Sequence, residues 1–148
     1  LVVCSCSKKN GDEVIDKYKD AEKQVEGNMK DGEKDGKWIR YHKNGQIWQE
    51  ENYIDGKLEG KWTSYKVNGQ KSREMNYKDG KLDGAWLYYK NGQIWRERNY
   101  KDGKQEGKAA WYYDNGQIWY EGNYKDEIRD GKWTYYNEDG SIRRVAQY

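Results

Sequence analysis

Several residue types that build ordinary globular cores are scarce or absent from this sequence. Among 148 residues there is no phenylalanine and no proline, and only 34% of the residues are hydrophobic. A thick aliphatic core is therefore excluded, and the 8 tryptophans and 15 tyrosines supply most of the large apolar surface. Because proline is absent, glycine, asparagine and aspartate must make the breaks between elements.

The chain also lacks a net charge of one sign. Lys and Arg total 28 against 26 Asp and Glu, and the two signs alternate along the sequence. No overall field gathers nucleic acid, so we expect no nucleic-acid partner. Charged residues reach 36%, but disordered chains are poor in aromatic residues, whereas these aromatic residues recur at regular intervals. We expect a folded, thin structure.

Residues that carry catalytic chemistry are few. The one histidine, His42, excludes a histidine metal cluster, and we interpret it as a surface residue of a hairpin. The stretch from Gly56 to Lys61 is one residue short of a phosphate-binding loop, and Trp62 stands where Ser or Thr is needed. The sequence therefore predicts no enzyme activity, no metal site and no cofactor.

What the chain has is an internal repeat. Its clearest copy is GKLDGAWLYYKNGQIWRERNYKD from Gly80 to Asp102. Successive copies start 24, 24, 23 and 24 residues apart, and a fixed period of this length indicates stacked supersecondary units. We assign residues 31–148 to a five-repeat array. The copies start at Gly32, Gly56, Gly80, Gly103 and Glu127.

Two turn sequences divide each repeat into two short segments of strand length. One is Asn-Gly, replaced by Asp139-Gly140 in the last copy, and the other is Asp-Gly-Lys, as at Asp79. Both dipeptides accept positive φ and favour tight hairpins. The prediction is an all-β fold, an elongated and largely single-layer antiparallel meander with one β-hairpin per repeat. Its Asn-Gly turns begin at Asn44, Asn68, Asn91 and Asn115.

Alternation along each strand predicts which residues share a face. In the third repeat it places Ile94 and Arg96 on one face and Trp95 and Glu97 on the other. The first-strand tryptophans fall opposite in phase to the tyrosines three residues later. Both faces therefore carry aromatic residues, which we expect to pack along the array.

One face also carries a regular column of glutamates. Successive members are two strands apart, so about 10 Å separates them, too far to share a metal ion or a scissile bond. We expect Lys and Tyr side chains of the intervening strands to pair with them. The column is Glu50, Glu74, Glu97 and Glu121.

The N-terminus has a separate character. LVVCSCSKKN resembles the end of a bacterial lipoprotein signal peptide, and Cys6 is the preferred lipidation site, with Cys4 as the alternative. This assigns residues 1–6 to the remnant of a signal segment and 7–30 to a polar tether with a degenerate half-repeat. The half-repeat is Glu26 to Asp31, which matches Glu121 to Asp126 with Met29 in place of a tyrosine.

The repeat as a whole resembles the bacterial variant of the MORN repeat, including the YwqK-type antitoxin repeat family. The shared pattern is GK-x-x-G-x-W-x-x-Y, a turn, and then G-x-I-x-x-E-x-x-Y-x-x-G. The resemblance implies a β-hairpin array used for protein contacts or membrane association, with no catalytic residues. In the fourth repeat Ala109 replaces the first-strand tryptophan, but Trp111 has the same parity and can serve the same face.

The resulting hypothesis is a non-enzymatic lipoprotein of the cell envelope, exported and lipid-anchored, whose array binds a protein partner in an antitoxin-like manner. GKWTYYNEDGSI from Gly131 is also similar to choline-binding repeats, so a cell-wall or glycan-binding module is the alternative. We expect aromatic burial to supply the affinity. The candidate partner-binding residues are Tyr88, Tyr112, Tyr113 and Tyr120.

Overall fold

The computed structural model describes residues 3–5, 14–15, 17–19 and 24–148, and every regular element in this part of the chain is a β-strand. Within it, no helix is long and apolar enough to cross a bilayer. The strands are β1 Val3–Ser5, β2 Val14–Ile15, β3 Lys17–Lys19, β4 Gln24–Lys30, β5 Glu33–Tyr41, β6 Ile47–Ile54, β7 Lys57–Leu58, β8 Gly60–Tyr65, β9 Lys71–Lys78, β10 Lys81–Lys90, β11 Gln93–Lys101, β12 Lys104–Tyr112, β13 Ile118–Lys125, β14 Ile128–Tyr136 and β15 Ile142–Gln147.

These strands form one antiparallel sheet whose order follows the chain. From β3 to β15 each strand pairs with its sequence neighbour, except that the short β7 pairs with β6 alone, leaving β6 beside β8. At the N-terminal end β1 pairs with β3, and β2 pairs with β4. Contacts between strands run along the array from each repeat to the next. The predicted all-β, single-layer meander is therefore confirmed.

The Asp-Gly turns between repeats are uniform. Each aspartate has φ between 46° and 52°, and the glycine after it has φ between 74° and 85°. Positive φ at both central residues is the type I′ conformation, whose twist matches that of the flanking strands. In the last turn Glu127 takes the glycine position with φ 68°. The aspartates are Asp31, Asp55, Asp79, Asp102 and Asp126.

The Asn-Gly turns all connect hairpins, as predicted, but they are of two kinds. Only Asn91 has positive φ, so Asn91-Gly92 alone is a two-residue turn of the same kind. At the other turns the Asn or Asp side-chain oxygen accepts the backbone N–H two residues later, as from Gln46 to Asn44 at 3.1 Å. Each of these loops has one residue more than the Asn91-Gly92 turn. The 23-residue spacing of the third repeat therefore arises in its hairpin turn.

A β-bulge opens the second strand of each repeat and reverses the predicted faces there. In the third repeat Tyr88 pairs with Arg96, but Tyr89 pairs with Ile94, which leaves Trp95 as the extra residue. Cross-strand partners share a face, so Ile94 lies with Tyr89 and not with Arg96. The assignment from simple alternation is thus wrong before the bulge. The same shift occurs at Trp48 and Trp119.

The best-packed region of the sheet lies in the last two repeats. Trp133 and Ala109 are fully buried, and the indole of Trp111 lies 6.3 Å from that of Trp133. Trp111 therefore fills the space that Ala109 leaves, as its parity predicted. Gly122 completes the cluster, because its lack of a side chain lets Trp133 lie directly against the backbone.

Candidate binding surface

One face of the sheet carries the tryptophans of the first strands, and we call it the tryptophan face. Trp111 lies two residues along β12 from the line that the other four form, which are Trp38, Trp62, Trp86 and Trp133. Beside them a second line of residues runs across seven consecutive strands, each residue directly opposite the next. We call this line the basic aromatic row. Its members from β9 to β15 are Arg73, Tyr88, Arg96, Trp111, Tyr120, Tyr135 and Arg144.

Three successive rings of this row are in contact with each other. Trp111 stacks on Tyr120 with centroids 4.5 Å apart, and Tyr120 stacks on Tyr135 at 5.6 Å. Such pairs contribute about 0.5–1.5 kcal/mol beyond the area they bury. The row is consequently a preformed surface that loses little conformational entropy when a partner binds.

The bulged tryptophans extend this surface at its rim. Trp95 is 36% exposed and lies 6.0 Å from the ring of Tyr88. Trp119 is 44% exposed and meets Tyr120 edge-on at 4.9 Å. A groove of about 270 Å³ opens beside it, lined by Trp119, Tyr120, Tyr135, Arg143 and Arg144. Exposed indoles on an uncovered face are typical of binding surfaces.

Guanidinium groups lie over the rings of the row. Arg96 Cζ is 4.8 Å from the centroid of Tyr88 and 5.5 Å from that of Trp111. At the C-terminal end Arg144 Cζ is 4.3 Å from the centroid of Tyr135. These distances are within the range of cation–π attraction. The burial of Tyr88 raises its pKa, although the nearby arginines oppose that shift, so its hydroxyl stays protonated at neutral pH.

The opposite face, which we call the glutamate face, holds the predicted glutamate column with its partners. Glu50 accepts hydrogen bonds from Lys37 at 2.6 Å and Tyr65 at 2.6 Å, and these lower its pKa in that order. Glu121 has the equivalent partners Lys108 and Tyr136 at 3.1 Å and 3.0 Å. The expected pairing of glutamates with Lys and Tyr is confirmed at these positions. Their carboxylates stabilise the sheet and are engaged within it.

The third repeat breaks this pattern. Ala85 occupies the position of Lys37, so the hydroxyl of Tyr112, at 3.2 Å, is the one hydrogen-bond partner of the Glu97 carboxylate within the described part of the chain. In the second repeat Glu74 keeps the equivalent lysine, Lys61, at 3.1 Å, and Lys71 binds it at 2.9 Å. Among the described residues no three His, Cys, Asp or Glu side chains are grouped so as to hold a metal ion.

The four predicted tyrosines do not form one cluster. Tyr88 and Tyr120 lie in the basic aromatic row on the tryptophan face. Tyr112 lies on the glutamate face with its hydroxyl on Glu97, and Tyr113 lies at the hairpin turn, where its hydroxyl donates to Tyr136 O at 2.8 Å. Two of the four therefore share a face, with Arg96 and Trp111 between them. The predicted lipidation site, Cys6, lies outside the described residues.

His42 and Tyr113 occupy equivalent positions and have equivalent contacts. His42 Nε2 lies 3.0 Å from Tyr65 O, and Tyr113 reaches Tyr136 O, in both cases 23 residues along the chain. Asn44 and Asn115 make parallel bonds to the next turn at 3.0 Å and 2.9 Å. These side chains join the turn of one repeat to the turn of the next.

Sequence reasoning did not single out the charged half of this surface. Arg96 and Arg98 are assigned to the correct face by alternation, but nothing in the sequence shows that they lack a carboxylate partner. Trp95 and Trp119 are displaced by the bulges, which alternation cannot detect. Counting residues between the Tyr of the first strand and the Ile of the second could have suggested an irregular pairing.

An open sheet of consecutive hairpins, with aromatic residues exposed on one uncovered face, defines a β-repeat protein. Five segments match the family described as the MORN repeat variant, and the chain belongs to that family. The matched segments are residues 34–55, 58–79, 82–102, 105–126 and 129–148. No curated protein matches the chain.

Proposed function

We propose that this chain is a non-catalytic binding protein whose MORN repeats present the tryptophan face to a protein partner. The observation that carries the proposal is the stack of Trp111, Tyr120 and Tyr135, with the exposed indoles of Trp95 and Trp119 at the rim of the row. Rigid aromatic side chains give contact area at low entropic cost, and they dominate the binding energy of protein interfaces.

The proposal includes a location and a narrower role. A lipid on Cys6 would tether the array to a membrane of the cell envelope, with the sheet held off the bilayer by the polar segment that follows. The N-terminal resemblance to lipoprotein signal segments supports this. An antitoxin-like role, in which the array covers a toxin, agrees with the protein-binding use of the repeats and is the narrower form of the hypothesis.

The test places a photo-cross-linking side chain on each face. Position 119 lies on the tryptophan face and position 132 on the glutamate face, and both side chains are exposed. We expect a partner protein to be cross-linked reproducibly from position 119 and not from position 132. Cross-linking from 132 alone would place the contact on the glutamate face and contradict the proposal.

An affinity measurement then follows with the partner so identified. Trp119→Ala with Tyr120→Ala should weaken the complex by about 2 kcal/mol or more. The control is Val67→Ala, which trims an exposed apolar side chain at a hairpin turn away from this face. Retention of the array on purified cell wall, released by choline or sugar, would instead identify the glycan-binding alternative.

A further inference from the structure

The tryptophan face contains a group of arginines that no carboxylate neutralises. Arg73 lies on β9, and Arg96 and Arg98 lie on β11, the two strands that flank β10. No salt bridge joins any of these arginines to an acidic residue in the described part of the chain. On the glutamate face, by contrast, lysines and glutamates are paired in register. The charge of this arginine group is therefore local and uncompensated although the chain is nearly neutral.

The first repeat shows what compensation on this face looks like. Glu51 is 3% exposed there, and Arg40 Nε lies 3.0 Å from its Oε1 atom. The residues at the position of Glu51 in the next repeats are Met75 and Arg98. The face thus changes from an internal Arg–Glu pair at its N-terminal end to arginines alone at its centre.

Hydrogen-bond donors without acceptors are concentrated at the same place. Five buried side-chain donors have no hydrogen-bond acceptor among the described residues, and four of them lie here: Nε of Arg96, Nε of Arg98, the indole nitrogen of Trp86 and Nε2 of Gln105. The fifth is Nε of Arg40 in the first repeat, which is paired in charge with Glu51 but makes no hydrogen bond. Trp86 pairs with Arg98 across β10 and β11, and Gln105 pairs with Tyr100 across β11 and β12. Buried polar groups are nearly always paired, and each exception requires an explanation. This region has donors in excess and lacks acceptors.

The electrostatics agree with this description. Burial lowers the pKa of the Arg96 guanidinium, and the like charge of Arg98 lowers it further. Both guanidinium groups lie 5.5 Å from the Trp111 ring. A carboxylate brought to this point would relieve the repulsion and accept hydrogen bonds from both side chains, since a guanidinium presents a fork that matches carboxylate geometry.

We infer that the basic aromatic row binds an extended acidic peptide segment of the partner, with carboxylates on its arginines and apolar side chains on its rings. The inference rests on the proposed function, because it takes the tryptophan face as the contact surface. Strands are about 4.8 Å apart, so Arg73 and Arg96 are separated by about 10 Å, the length of three extended residues. Arg96 and Arg144 are four strands apart, about 19 Å or six extended residues.

A short acidic segment fits better than a polyanionic surface. Nucleic acid or an anionic membrane offers many charges over a broad area, whereas this chain has a net charge of +2 and its other face is paired. The arginines lie between aromatic rings, where a ligand must bring apolar contacts together with charge. A peptide that carries both acidic and apolar side chains supplies both.

The test uses fluorescent peptides of about twelve residues, long enough to span the row. The first peptide carries three Asp residues, the second Asp three residues after the first and the third Asp nine residues after the first, with Leu and Val between them. The second peptide carries Asn at those positions, and the third carries Lys. Fluorescence anisotropy with the full chain should show binding of the Asp peptide at least about tenfold tighter than the Asn peptide, and none of the Lys peptide. Equal affinity for the Asp and Asn peptides, or no binding of any, would overturn the inference.

The site is located with matched variants. The double variant Arg96→Gln with Arg98→Gln should weaken Asp-peptide binding about tenfold or more. Lys57→Gln with Lys81→Gln removes the same charge from exposed positions at the Asp-Gly turns and should have little effect. An equal loss in the two variants would mean that general charge attracts the peptide, and would overturn the inference.

Two further arms make each outcome decisive. Arg96→Lys with Arg98→Lys keeps the charge but removes the fork, so intermediate binding is expected, and its circular dichroism spectrum reports whether the sheet is intact. Single-stranded DNA and phosphatidylserine vesicles serve as competing polyanions. If either binds more tightly than the Asp peptide, the ligand is a polyanion and the peptide inference is overturned. If the Asp peptide fails to bind but cross-linking from position 119 still captures a partner, the peptide inference is wrong and the proposed function stands.

Discussion

The indole of Trp133 lies directly on the backbone of Gly122, so closely that a Cβ atom on this glycine would be 2.3 Å from Cδ2 of the ring. Gly27 and Trp38 repeat the relationship, with 2.1 Å for the same pair of atoms. These two tryptophans are 0% and 3% exposed. Trp86 has Met75 opposite it on the preceding strand, in the place of the glycine, and is only half-buried. The residue opposite each tryptophan on the preceding strand therefore determines how deeply the indole is buried.

This relationship predicts that Gly122→Ala destabilises the sheet by about 1–3 kcal/mol, because the added methyl group must displace a buried ring. Urea denaturation followed by circular dichroism measures the change. Trp133→Ala alone should cost about 3–5 kcal/mol, since it removes the largest fully buried side chain.

The control is the double variant of Gly122 and Trp133. Once the indole is gone, the methyl group has room, so the two losses should add to clearly more than the loss of the double variant. Additive losses would mean that Gly122→Ala acts through the backbone and not through contact with Trp133.

A second prediction concerns alkaline pH. Tyr65 donates to Glu50 Oε2 at 2.6 Å, and burial together with this bond raises the pKa of Tyr65 to about 12. A group whose pKa is raised on folding contributes stability below its unfolded pKa, and this is lost as pH rises through the folded pKa. Stability should therefore fall between pH 10 and about 12, and Tyr65→Phe should flatten the free energy of unfolding against pH over that range.

Glu50→Gln provides the control for this effect. It removes the carboxylate that holds the Tyr65 proton, so the ultraviolet absorbance of tyrosinate should appear at lower pH than in the wild-type chain. An unchanged titration would show that burial alone shifts the pKa of Tyr65.

Much of the fold follows from the sequence because the turn chemistry is local. Asp-Gly at a fixed period specifies type I′ turns, and the 24-residue copies then specify a meander. The pairing of Glu121 with Lys108 and Tyr136 follows as well, because it depends only on register across adjacent strands.

The candidate surface was less predictable, for two physical reasons. Alternation assumes an unbroken ladder, and a bulge adds one residue without any special amino acid, so the environments of Trp95 and Trp119 could not be predicted. A missing partner is also a property of three strands together. Arg98 on β11 lies between Trp86 on β10 and Ala109 on β12, so its lack of a partner depends on the residues that all three strands place there.

The proposed lipid anchor gives a third prediction. A full-length precursor expressed in a bacterium should enter the detergent phase, and Cys6→Ala should remain in the aqueous phase, because the acyl chains of a lipoprotein together give stable membrane binding. Cys4→Ala is the control and should still partition into detergent. If Cys4→Ala is aqueous and Cys6→Ala is not, the modified residue is Cys4.

The last prediction concerns the modularity of the array. Deleting Gly80 to Asp102 removes one whole hairpin and joins Asp79 to Gly103, which restores an Asp-Gly turn of the same type. Contacts in the sheet run between neighbouring repeats, so the shortened chain should keep its β-sheet circular dichroism and unfold cooperatively at a lower temperature. Deleting only Lys81 to Lys90, a single strand, is the control. It leaves β9 and β11 parallel, with no crossover long enough to join them, and should abolish folding of the array beyond the cut. Complete loss of β-sheet signal in the whole-repeat deletion would show that the five repeats fold as one indivisible unit.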